Sequence, residues 1–335
     1  MNRYFRAIGL SERVTVSGMQ TLINKVLSEP VYRAYTTNSD KTLLAEFRTE
    51  YGKGFGVSVV GEFDDDDKFR YSYCYPYVTS DIISTEQQVT IEPRLSDDMF
   101  AGVCDDLKVG TTIIFRLQNV IDCVKDSESI GRNVADLTGK TCMLAALSTE
   151  GTIMLPVAKT PKDIQIGRRK MANRTRLMRK AMNGDDDAMQ DLTMQDMDTY
   201  AAISHQLQTQ DVYTIVDTYF MPFGVECDLY SVMGEIEECE KVVNNVTDET
   251  LYRLLVDCNN LRFIVLINSK DLFGVPAVGR RFKGIVWMQG SAVFSDNTNE
   301  DYGDSADAAD ASDKSDMPGE DSGNQSKDSD DTEKL

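Results

Sequence analysis

The chain has 335 residues, 41% of them hydrophobic, which is enough to bury a sizeable core, and 35 basic against 55 acidic side chains give a formal charge of −20. Its longest apolar runs, such as Phe263–Ile267 and Ile285–Met288, are strand-length and well short of the roughly 20 residues that cross a bilayer as a helix, so neither a transmembrane segment nor a membrane partner is expected. The single histidine, His205, removes Ser/His/Asp and Cys/His chemistry unless that one residue supplies it, and its place after Tyr200 and Ile203 marks it as a helix-end residue.

The opening MNRYFRAIGLSERVTV has early positive charge but no apolar stretch of about 7–15 residues and no small-residue cleavage site, which argues against a signal peptide and for a cytoplasmic location. Met19, Leu22, Ile23, Val26 and Leu27 follow the i, i+3, i+4, i+7, i+8 spacing of an amphipathic helix, with Ser17 as its N-cap and Pro30 beyond its end. Residues 31–37, 43–50, 54–63, 69–77, 87–92 and 111–121 then read as strands rich in Val, Tyr, Phe and Thr. Within 130–160, Glu150-Gly151 divides two apolar runs and predicts a hairpin.

From Lys162 to Gln210 the pattern turns helical, with a break at Asn183-Gly184 and a second helix after Thr193, where Asp196 completes a capping box. Strands return at 228–238, 251–257, 261–268 and 282–294, with Asn259-Asn260 as a tight turn. Residues 295–335 hold 14 acidic and 3 basic side chains, and their only large apolar residues are Tyr302, Met317 and Leu335, so they are expected to stay unfolded. Their aspartates at 304, 307, 310, 313 and 316 suit either a solubility device or a competitor for a basic surface elsewhere.

The seven cysteines are dispersed without a CxxC pair, which fits reduced core thiols and not a zinc site or a disulfide framework. Gly139-Lys140-Thr141 lacks the first glycine of a phosphate loop, because position 134 is Val134, and Gly52–Gly56 lacks the helix of a dinucleotide fingerprint. Asp64–Lys68 has neither the turn glycine nor the ligand spacing of a calcium loop and reads as a solvated hairpin. Ser58–Phe63 resembles Ser231–Ile236 in order and spacing, which is either a duplication or the general use of glycine at strand bulges.

Gly167–Asn183 carries seven positive residues and no negative one. On a helix Arg168, Arg169, Arg176, Arg179 and Lys180 fall in one sector and Met171, Met178 and Met182 in another. The basic sector suits an acidic protein or RNA phosphates; the competing explanation is a solvated face paired with Asp185, Asp186 and Asp187. For an enzyme, the carboxylate-rich strings of the last β-rich half supply Glu226, Asp228, Glu235 and Arg280 as catalytic candidates, which could equally be structural ion pairs.

The strings VYTIVDTYFMPFGVECDLYSVMGEI (212–236) and VGRRFKGIVWMQG (278–290), with Tyr4–Gly9 and Leu147–Gly151, resemble a family of uncharacterised clostridial proteins, many from Lachnospiraceae, classed as a domain of unknown function. The resemblance spans about residues 1–294 and implies a cytoplasmic bacterial protein; it brings no activity, cofactor or catalytic residue with it. Together these readings predict an α+β body of two β-rich halves, barrel-like or sandwich-like, joined by a helical connector, with duplication of the halves as one of the two readings of their similar strings. The segments are 1–129, 130–160, 161–210 and 211–294, followed by the tail at 295–335. The leading functional expectation is a non-enzymatic binding or regulatory module with a protein partner. A carboxylate- or metal-dependent enzyme and an RNA-associated protein are the alternatives, and no motif names a cofactor.

Overall fold

A computed structural model describes residues 3–11, 16–37, 42–93, 99–129, 138–139, 141–157, 161–206, 208–209 and 211–294. The expectations for the tail and for Lys140 lie outside the described residues, as does the side chain of Ser17. The chain opens with a 3-10 helix, Arg3–Ile8, that buries Tyr4, Phe5, Ala7 and Ile8. Helix α1 (Val16–Ser28) follows, and the periodic residues Ile23 and Val26 are the ones it buries.

Four strands, β1 (Tyr32–Thr37), β2 (Leu43–Gly52), β3 (Phe55–Phe63) and β4 (Phe69–Val78), form an antiparallel sheet in chain order. The β3–β4 connection is the acidic run: the Asp64 carboxylate accepts from the backbone of Asp66 and Lys68, and Asp67 takes the left-handed conformation. Gly61 has the Arg70 carbonyl 2.1 Å from where a Cβ would stand, and Gly234 has the Asp257 carbonyl at 2.5 Å, so the glycines shared by the two similar strings answer a local close approach of backbone.

The second sheet holds β5 (Val89–Pro93), β6 (Phe100–Asp106), β7 (Thr111–Leu117), β8 (Thr138–Gly139), β9 (Thr141–Met154), β10 (Tyr219–Pro222), β11 (Leu229–Val243), β12 (Thr250–Cys258), β13 (Leu261–Asn268), β14 (Leu272–Phe273) and β15 (Arg281–Val293). Helix α2 (Val120–Ser129) follows β7. Strands β11, β12, β13, β9 and β15 pair in a closed ring, since β15 returns to β11, which makes a five-strand barrel. β15 also reaches β7 by a short parallel pairing, Gln289 opposite Arg116, which joins the β5–β7 strands to the barrel. This is the expected α+β, β-rich architecture.

Period-2 alternation explains two apolar cores on the same strands. Along β13, Phe263, Val265 and Ile267 belong to the cluster inside the barrel, while Ile264 and Leu266 belong to the cluster shared with the four-stranded sheet, α1 and the opening 3-10 helix. On β9, Leu144 and Ala146 face one core and Ala145 and Leu147 the other. Strands covered on both faces read as unbroken apolar runs.

That double burial corrects one expectation. Glu150-Gly151 is not a hairpin turn: β9 continues through it to Met154, paired with β15 on both sides of an irregularity at Thr149, and Gly151 lets Phe282 and Ile267 pack where a Cβ would stand. Residues 111–121 divide into β7 and the start of α2, whose apolar Val120, Ile121, Cys123 and Val124 turn a single face inward. Between β9 and β10 the chain leaves the barrel as helix α3 (Pro161–Met182), helix α4 (Asp186–Gln206) and a last turn, α5 (Val212–Ile215). Gly184 ends α3 in the left-handed region, and Asp185 caps α4 by accepting from the Ala188 N–H. The start of α4 is therefore earlier than Thr193, whose hydroxyl donates within the helix to Met189.

Candidate functional site

The four catalytic candidates do not come together. Asp228 is buried just before β11 and accepts from the Trp287 indole at 2.8 Å, whose ring stacks on Tyr4, while Glu226 is exposed in the turn before it. Glu235 lies opposite Arg281 on β15, six residues along β11 from Leu229, or roughly 20 Å of extended chain. The Arg280 guanidinium donates to the Val275 carbonyl at 2.7 Å and closes its own loop. Among the described residues no group of three or more His, Cys, Asp or Glu is placed to hold a metal ion.

The neighbouring Arg281 has the larger structural part. Its buried guanidinium donates to the carbonyls of Leu155 at 3.0 Å, Tyr213 at 2.8 Å, Val216 at 2.9 Å and Asp217 at 3.3 Å. Leu155 is where the chain leaves the barrel for α3, and Tyr213–Asp217 is where it returns. One side chain therefore ties both roots of the helical arm to β15. Lys283 adds a 2.6 Å bond to the Tyr213 hydroxyl, which with the facing phenol raises the lysine pKa.

Helix α3 sorts its residues by direction. Arg174 pairs with Asp196 of α4 at 2.6 Å, and Leu177, on the same side of α3, is buried. Met171, Thr175 and Met178, at i, i+4 and i+7, turn to the barrel, with Met178 over Gly110 in the β6–β7 turn. The remaining sector carries Arg169, Arg176 and Arg179, all exposed and without an ion pair among the described residues. Arg176 donates to Asn173 on its own helix, Lys180 reaches Asp185 only at 3.8 Å, and the side chain of Arg168 lies outside the described residues. The local acids expected to pair with this face take Lys180 only; Arg176 and Arg179 instead border a groove.

That groove lies between α3 and the β6–β7 and β12–β13 turns, with a volume of about 460 Å³. Met171, Ala172 and Thr175 line it from the helix, Arg176 and Arg179 from its rim, and Lys108 and Asn260 from the turns. Each turn is fixed by a carboxylate: Asp106 accepts from the Lys108 N–H at 2.7 Å, and Asp257 accepts from the Asn260 N–H at 2.7 Å. Asn259 and Asn260 both have φ near +60°, at 57° and 65°, the two-residue turn that the Asn-Asn pair predicts. Burial raises the pKa of Asp257, against the lowering effect of that N–H and of Arg262 and Lys108. Lys108 then donates to the Asn260 carbonyl at 3.3 Å, locking the turns to each other. Lys108 is the groove residue that sequence reasoning misses, because it lies more than 50 residues from α3 and only the tertiary fold brings them together.

A second set of buried charges lies between the sheets. Glu46 accepts two bonds from Arg48, at 2.8 and 3.1 Å, with further bonds from Ser58 and Tyr75. Arg116 lies over the rings of Tyr73 at 4.7 Å and Tyr75 at 4.0 Å. These contacts knit the sheets, since Arg116 is on β7 and the two tyrosines are on β4.

No described helix is long and apolar enough to cross a membrane. No curated protein and no solved structure matches the chain. A family model does, over residues 5–290: "Domain of unknown function, E. rectale Gene description (DUF3881)". With the four-stranded sheet, the helical arm and all of the barrel but the last three residues of β15 inside that match, the chain belongs to this domain family.

Proposed function

We propose that the chain is a non-enzymatic binding module whose helical arm presents the basic face of α3 to an acidic partner protein. The observation that carries this reading is the placement of Arg176 and Arg179 beside Lys108 at the groove rim, turned away from the acids of α4. The net charge of the chain is negative, but opposite charges beyond about 10 Å are screened at physiological salt, so this local face governs what can dock. RNA is the second reading, and it is less favoured because no aromatic ring lines the groove to stack a base.

The test is fluorescence anisotropy with labelled poly-L-glutamate and with oligouridylate of matched charge, titrated at several salt concentrations. Poly-L-glutamate should bind, and Arg176→Glu with Arg179→Glu should weaken it about tenfold or more. Preference for oligouridylate, with a steep salt slope lost in the double variant, would replace this reading with the RNA one. Absence of binding to both would overturn it.

A further inference from the structure

Resting on the reading above, we propose that the groove takes an acidic segment that carries an apolar anchor side chain among its carboxylates, and not simply a run of negative charge. Arg176 and Arg179 are exposed and Lys108 is half-buried, and the lining that lies with them is apolar or small: the half-buried Met171 and Thr175 and the exposed Ala172. Pure electrostatic attraction would need no such lining. A charged segment lying over it would leave Met171 facing polar chain, with no gain from removing that apolar surface from water.

The spacing along α3 sets the pattern of the partner. Ala172, Arg176 and Arg179 occupy i, i+4 and i+7, so they form one row on the helix, with the small alanine leaving a notch at one end. At 1.5 Å per residue, Arg176 stands about 6 Å from the notch along the axis and Arg179 about 10.5 Å. An extended partner strand advances about 6.6 Å for every two residues and puts alternate side chains on one face. An apolar residue seated at Ala172 therefore places a carboxylate two residues on against Arg176, and the next same-face carboxylate, four residues on, within reach of Arg179. Lys108 and the Asn260 side chain close the opposite wall and can meet the strand's remaining polar groups. The volume of about 460 Å³ accommodates one large side chain and its flanking backbone, not a folded domain, so the contact is with a short segment.

The test compares two labelled peptides of twelve residues, all Asp and Glu except for one central position that is Leu in the first and Ser in the second. The full-length wild-type chain should bind the Leu peptide about tenfold more tightly than the Ser peptide. Ala172→Gln fills the notch with a residue that is exposed and nearly as good a helix former, so folding is retained and can be checked by circular dichroism. In that variant the ratio of Leu-peptide to Ser-peptide affinity should fall to within about twofold. Equal binding of the two peptides by the wild type would overturn the anchor while leaving the acidic-partner reading in place. Failure of both peptides to bind better than they bind the Arg176→Glu, Arg179→Glu double variant would overturn both. Retention of the Leu preference by Ala172→Gln would remove the notch as the seat of the anchor.

Discussion

Arg280 and Arg281 are adjacent in the chain and alike in composition, yet they make different demands on the fold. Arg280 is partly exposed and makes a single bond to Val275 in its own loop, whereas Arg281 is 5% exposed and gives its donors to four carbonyls from two separate chain segments. Replacing a buried donor costs about 1–3 kcal/mol for each acceptor it leaves short of a hydrogen bond. Arg281→Met should therefore destabilise the chain by about 3 kcal/mol or more, and Arg280→Met by less than about 1.5 kcal/mol, as read from urea denaturation midpoints. Equal losses would show that the Arg281 bonds are replaced by water. Sequence reasoning picks out Arg280 and passes over Arg281, because strings dense in charge do not say which side of a strand faces inward. Strand β15 makes that distinction: Phe282 points into the barrel, and its neighbours Arg281 and Lys283 take the other face, towards the roots of the arm.

At the scale of elements, the helical arm is an insertion between β9 and β10, and its connection to the barrel is local. Leu155 and Tyr213 share one planar guanidinium, so the two chain ends lie within about 8 Å of each other. Among the described residues of the arm only Leu177 and Ala188 are buried, while Met182, Met194, Met197 and Tyr200 are each more than 60% exposed, so these residues add little to either core. Replacing residues 158–210 with a short Gly/Ser linker should leave a folded body whose thermal midpoint lies within about 5 °C of the full chain, with loss of poly-L-glutamate binding; a body that no longer unfolds cooperatively would show that the arm is part of the fold. The helical character of this segment is legible in the sequence because the change from period 2 to period 3.6 is abrupt after Pro161. α1 is readable by its 3.6 period, and β1–β4 and β11–β13 as strand-length runs rich in β-branched and aromatic residues and bounded by turn residues. Such reading fails at β9, where both faces are buried and Glu150-Gly151 has the composition of a turn, and at β6, whose Gly102 and paired aspartates hide a strand that is in register with β7. The groove was half legible: the basic sector of α3 follows from spacing alone, but the turns that complete it come from β6–β7 and β12–β13, and nothing local in the sequence says that these meet.

Across the whole molecule, the two cores are joined through shared strands and not through a linker. Ile264, Leu266 and Leu255 face the four-stranded sheet from the backbones that carry Phe263, Val265, Leu254 and Val256 into the barrel, so loosening one core displaces the strands that define the other. The single tryptophan stands at this junction: Trp287 belongs to the core shared with the sheet, stacks on Tyr4 at 5.1 Å and donates to Asp228 from the start of β11. Its fluorescence therefore reports the seam, while far-UV circular dichroism reports all the strands. If the cores are coupled as their strands require, the two signals should give one denaturation midpoint. Ile264→Ala removes a fully buried side chain from the seam side of β13 at a cost of about 2–5 kcal/mol, and it should move both midpoints by the same amount. A variant in which the tryptophan signal is lost at lower denaturant than the dichroism would mean that the four-stranded sheet detaches from an intact barrel. That outcome would turn the seam from a permanent core into a surface that can open, and would make the sheet and the barrel separate folding units despite their common strands.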